Sequence, residues 1–135
     1  MKPRPSLVNV TAIDDAPLRP FADGRGGQIH LFDTENGAAN VDVHVNVLRP
    51  GSGLGRYHRH ERSENVYVVL EGLVELHVEG AEYCLRTGDA VLIPPGLAHR
   101  AGAHPDASVE TRILEIYAPP GPDFHVVDSE EVERA

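Results

Sequence analysis

His58-Arg59-His60-Glu61-Arg62-Ser63-Glu64-Asn65-Val66-Tyr67-Val68-Val69-Leu70-Glu71-Gly72 is the stretch on which the reading of this chain turns. Its two histidines stand two residues apart. On an extended strand that spacing sends both side chains to one face. Downstream, Gly88-Asp89-Ala90-Val91-Leu92-Ile93-Pro94-Pro95-Gly96-Leu97-Ala98-His99 ends on a third histidine, past a corner stiffened by two prolines and a glycine. Taken singly, each histidine reads as structural or exposed. Three imidazoles delivered by two strand-like segments are what one divalent site requires, so His58, His60 and His99 are the expected metal ligands. Mixed nitrogen and oxygen donors suit Fe, Mn, Ni, Co, Cu or Zn, and donor identity alone does not choose among them.

Around this core the chain reads as short strands. Val41 to Val47 alternates, with valines on one face and Asp42, His44 and Asn46 on the other. That polar face is expected to meet solvent or a second subunit. Ile29–Phe32, Val66–Leu70, Leu73–Val78, Tyr83–Arg86, Ala90–Ile93 and Val109–Tyr117 complete the strand candidates. With 13 Gly and 11 Pro between them, the expected class is all-β, a sandwich or barrel. Residues 1–28, polar and proline-containing, read as an N-terminal arm that could supply an edge strand. Residues 29–127 form the expected barrel, and 128–135 a polar tail of one or two helical turns.

Composition narrows the function. A net charge of −9 with no basic stripe argues against nucleic acid or anionic lipid as partner. No apolar run approaches a membrane span or a signal-peptide core, and with a lone cysteine the expectation is a cytoplasmic protein. Cys84 itself is expected to be a small buried hydrophobe. Gly51, Gly53 and Gly55 precede a strand, not a helix, so a phosphate-binding loop is absent, as is a serine nucleophile elbow.

The two quoted stretches, 15 residues apart, resemble the paired motifs of the cupins. The resemblance implies a double-stranded β-helix, a small jelly-roll barrel, with a metal inside and commonly a homodimer. It also implies a fourth ligand, and here the chain departs from the family. Counting three or four residues on from His60 reaches Glu64, whereas counting back six from Gly72 reaches Asn65. A one-residue slip flips a strand side chain, so one of the two faces inward unless a bulge intervenes. Glu64 would also serve as a base for proton abstraction. With Asn65 inward, the chemistry would lean on Lewis acidity. Tyr67 shares the face of Asn65 and could line the cavity. Arg56, Arg59 and Arg100 flank the motifs; one could receive a substrate carboxylate, although solvated arginines are the safer reading. His30, His77, His104 and His125 show no partner pattern.

The function expected on this basis is a metalloenzyme, of dioxygenase or isomerase type, acting on an oxygenated small organic substrate. The alternative is a non-catalytic binder of a small ligand, with a structural metal or none.

Overall fold

The computed structural model describes residues 8–133. Among them, eleven strands form two antiparallel sheets. One sheet runs in the order β1 (Leu18–Pro20), β2 (Gly26–Phe32), β3 (Asp42–Leu48), β10 (Thr111–Ala118), β5 (Glu64–Glu71) and β8 (Ala90–Ile93). The other is ordered β11 (His125–Val126), β4 (His58–Arg59), β9 (His99–Ala103), β6 (Leu73–Val78) and β7 (Ala81–Arg86). A short helix, α1 (Ser129–Glu133), follows β11. Sequence neighbours cross repeatedly from one sheet to the other, which is the jelly-roll plan. The β5–β6 turn needs a glycine, because a Cβ on Gly72 (φ +87°) would sit 2.7 Å from the Thr111 backbone.

The space between the sheets is divided. At one end Leu48, Val69, Val74, Leu76, Ile93, Ala103 and Ile113 pack as an apolar plug. Each large aliphatic there contributes roughly 1.5–3 kcal/mol by leaving water. The other end is left polar and open, and the metal-binding candidates lie there.

The faces of β3 depart from the expectation. Its valines do not face the interior: Val45 and Val47 pack with Ile29 and Leu31 on the outside of the barrel, against Ile13 and Ala16 of the N-terminal segment. His44, expected at the surface, is only 2% exposed, and with Asn46 it lines the internal cavity. Both faces of this strand are covered, so alternation alone could not tell inside from outside. A second correction concerns Cys84, which is exposed. It lies on β7, the outer strand of its sheet, where only Leu85 is buried.

Of the expected arm, residues 1–7 lie outside the described residues. Leu18–Pro20 pairs with β2, and β2 itself begins at Gly26. At the other end Val132 of α1 is buried with Tyr57 and Ala98. Among the described residues, no helix is long and apolar enough to cross a membrane.

Candidate metal centre

Strand pairing brings the three histidines together. His58 on β4 lies directly across from His99 on β9. His60 follows two residues on, and the Gly96 amide (φ +90°) donates to its carbonyl at 2.7 Å, tying the Pro94-Pro95-Gly96 corner to this segment. The ring centres lie 4.4 Å (His58–His99), 5.1 Å (His58–His60) and 5.4 Å (His60–His99) apart. One ligand-capable atom from each lies within 4.8 Å of the others.

The outer shell sets which nitrogen is free. Each Nδ1 donates to a backbone carbonyl: His58 to Arg56 at 2.9 Å, His60 to Asp123 at 2.7 Å, His99 to Leu97 at 2.9 Å. A carbonyl can only accept, so Nδ1 carries the hydrogen and Nε2 keeps its lone pair. The Nε2 atoms of His60 and His99 are buried without a hydrogen-bond partner. Leaving such atoms unpaired costs about 1–3 kcal/mol each, and a bound cation removes that cost. Burial lowers the pKa of His58 to about 4, with the proximity of His99 adding to it, and burial lowers His99 as well. Burial thus favours neutral imidazoles at His58 and His99, the form that binds metals. The residues present fit a divalent ion.

Asp123, unremarked in the sequence, fastens this corner. Its carboxylate accepts the amides of Glu61, Arg62 and Ser63 at 2.8–2.9 Å, while its own carbonyl holds His60. Burial would raise its pKa, but those three N–H groups and His125 hold it below the usual carboxylate range. Phe124 stacks on His58 with ring centres 4.2 Å apart.

The two candidates for the fourth position separate cleanly. Glu64 is exposed, whereas Asn65 is 0% exposed. The expectation that Glu64 could serve as ligand or base is therefore corrected: strand β5 presents Asn65, Tyr67 and Val69 inward, and Glu64 falls on the opposite side. The Asn65 amide nitrogen donates to the Ile116 carbonyl at 3.2 Å, and its Oδ1 is buried without a partner.

Beside the histidines, the wall of the site holds charge. His30, His44, Glu115 and Tyr67 lie side by side across β2, β3, β10 and β5. His44 sits between two carboxylates, with Nδ1 2.9 Å from Asp42 Oδ1 and Nε2 3.4 Å from Glu115 Oε2. Burial would lower the pKa of His44, but the carboxylates outweigh it and raise it to about 9. Glu115, 3% exposed, would be raised by burial, yet His44 and the nearby histidines hold its pKa below the usual value. Tyr117 donates to Glu115 Oε1 at 3.3 Å, and its ring lies 4.7 Å from that of His60. Burial, with Glu115 beside them, pushes both Tyr67 and Tyr117 well up.

These residues border a cavity of about 430 Å³, lined by His58 and His60 and by Glu115, Tyr67 and Tyr117. That volume suits a small organic ligand. Arg56 borders the cavity, Arg100 lies in an adjoining groove, and Arg59 is surface-exposed beside Glu61. His77 pairs with Glu75 and His104 lies near Asp106, and neither lines this cavity. His30, Asp33 and Asp42 also bring ligand-capable atoms within 4.8 Å, but Asp42 is engaged by His44 and Asp33 by the Glu35 amide. Glu115 was missed because it sits in an aliphatic strand. Its one signal is an acid at the alternate position between Ile113 and Tyr117.

Comparison with known proteins agrees with this architecture. The family model described as "Cupin domain" matches residues 44–117, more than half of the chain. Protein SchB of Streptomyces halstedii is 34% identical over 131 residues, covering 94% of this chain and 91% of its own. The polyketide synthase CurC of Streptomyces cyaneus is 31% identical over 133 residues, covering 96% and 80%. Among solved structures, the polyketide cyclase RemF from Streptomyces resistomycificus superposes with a TM-score of 0.77 at 23% identity, over 93% of this chain and 89% of that one. With two motifs on facing strands, a double-stranded β-helix and relatives aligned along nearly its whole length, the chain belongs to the cupin family.

Proposed function

We propose that this protein is a metal-dependent cyclase acting on a small chain of alternating ketones. The observation that carries the reading is one cavity that joins a histidine cluster to a buried carboxylate. His58 and His60, which group with His99, line it together with Glu115. The name of the relative CurC supports polyketide chemistry over the dioxygenase or isomerase chemistry expected from sequence.

His58, His60 and His99 would hold the ion, with Asn65 Oδ1 as the oxygen this chain offers as a fourth donor. A divalent ion bound there supplies Lewis acidity to a pair of carbonyl oxygens. Glu115 then accepts the proton from the carbon between two carbonyls. The resulting enolate carbon attacks a second carbonyl of the same chain, forming a C–C bond. The alkoxide takes the proton back from Glu115, beside which Tyr67 and Tyr117 line the cavity. Loss of the hydroxyl with a neighbouring proton releases water and sets the ring. No electrons are gained or lost, so no oxidant is called for.

Reconstitution with zinc(II), and product analysis with a linear tri- or tetraketide, tests this reading. Ring formation that disappears in His58→Ala is the expected result. Oxygen uptake in place of ring closure would return the protein to the dioxygenase class. The amide at Asn65, where the family motif carries an acid, favours one second reading, ligand binding without turnover. That reading predicts a melting shift with ligand that survives His58→Ala.

A further inference from the structure

The barrel cavity does not end at its wall. Arg25, Gly55 and Arg56 line it and also line an outer groove of about 760 Å³, which continues past Tyr57 and Arg100. Three arginines, Arg25, Arg56 and Arg100, therefore border this groove in a chain of net charge −9. Asp23 and Asp128, the carboxylates in the groove, are engaged already. Asp23 takes the Nε of Arg25 at 2.9 Å, and Asp128 takes the Glu130 amide at 2.9 Å.

Arg25 is held in place on three sides. Asp23 grips its Nε edge, and its guanidinium carbon lies 5.6 Å from the Phe21 ring centre. A Cβ on Gly55 would come within 2.9 Å of its Nη2, so the glycine makes room for the guanidinium. Arg100 lies over the Tyr57 ring at 4.5 Å, and its Nε is buried without an acceptor; Glu133, 61% exposed, approaches it only to 3.9 Å. Arg56 has no ion-pair partner among the described residues. Preplaced forks with donors to spare match the oxygens of a carboxylate or phosphate.

We propose that this groove is an oxyanion subsite, which receives a carboxylate or phosphate at the far end of the molecule whose keto end fills the barrel. It rests on the cyclase reading only for what lies at the inner end. A free polyketide acid would present the carboxylate, and a chain still on a phosphate-bearing tether would present the phosphate.

The test uses the full chain loaded with zinc(II). Inorganic phosphate is titrated while the arginine Nε–H signals are followed by NMR. Separately, calorimetry compares three diketones: neutral benzoylacetone, 4-acetoacetylbenzoate and 4-acetoacetylphenyl phosphate. Phosphate is expected to move the Arg56 and Arg100 signals. At least one charged diketone should bind about tenfold more tightly than benzoylacetone, the gain expected of one charge-assisted contact. Which of the two leads identifies the source. Arg56→Ala should close the gap, and Gly55→Ala, which displaces Arg25 without removing its charge, should narrow it. Phosphate that moves no arginine signal overturns the proposal, as do three diketones of equal affinity or a gap that survives Arg56→Ala. Phosphate that moves the arginines while no diketone binds leaves the groove standing and removes the metal-centre reading instead.

Discussion

A histidine trio and His44 share this barrel, and their partners set them apart. His58, His60 and His99 each give Nδ1–H to a backbone carbonyl. His44 is flanked by two carboxylates. All four rings are buried. A carbonyl can only accept, and it carries no charge to offset an imidazolium, so burial keeps His58 and His99 neutral, with Nε2 as a lone pair. A pair of carboxylates makes His44 cationic. That cation in turn keeps Glu115 ionised beside the cavity. Ligand and counter-ion are thus drawn from one residue type by what lies behind each ring.

The strongest test of the difference removes a ring from the trio. His99→Ala should lose metal altogether, from about one equivalent to a trace by elemental analysis, because two imidazoles make a poor site. Glu115→Gln attacks the link between the trio and His44. Turnover of a keto substrate should fall by roughly 10²–10⁴-fold, the usual share of a general base, with metal content retained. Retained turnover would mean that the proton goes elsewhere.

His44 supplies the next largest effect. Its pKa is raised in the fold to about 9 from an ordinary 6.5, so its contribution is complete below pH 6.5 and fades as pH rises through 9. By proton linkage this amounts to about 3 kcal/mol at most. Urea denaturation of the metal-free protein should show stability declining between pH 6.5 and 9.5. His44→Gln should be less stable at pH 6 and lack that slope. The smallest effect is expected at the fastening of His60. Asp123→Ala keeps the backbone carbonyl but frees the 61–63 turn, and should weaken metal binding by about 10–100-fold in a competition titration with a chelator. An unchanged affinity would show that the turn needs no such clip.

The histidine trio was legible in the sequence and the place of His44 was not. A period of two in His58-Arg59-His60 and a Pro-Pro-Gly corner ahead of His99 are local signals, readable without knowing what packs where. His44 lies in an equally regular strand, yet its alternation was ambiguous. The valine face of β3 is buried beneath Ile13 and Ala16, residues some thirty positions away in the chain, and this turns the polar face inward. Glu115 was hidden for a related reason: a charge inside an aliphatic run makes sense only once His44 is known to be its neighbour. Asn65 and Glu64 could not be separated from sequence because the two motif counts conflict by one residue. Burial is what distinguishes them, with Asn65 inside and Glu64 exposed.

One contact bears on how the protein comes into being. The ring of His60 is oriented by the carbonyl of Asp123, 63 residues later in the chain. During translation, His58, His60 and His99 have all been made before the group that aligns the middle one exists. A chain that stops short of Asp123 would therefore lack the acceptor that orients His60, and a competent ion trap would be completed only once that residue has joined the fold.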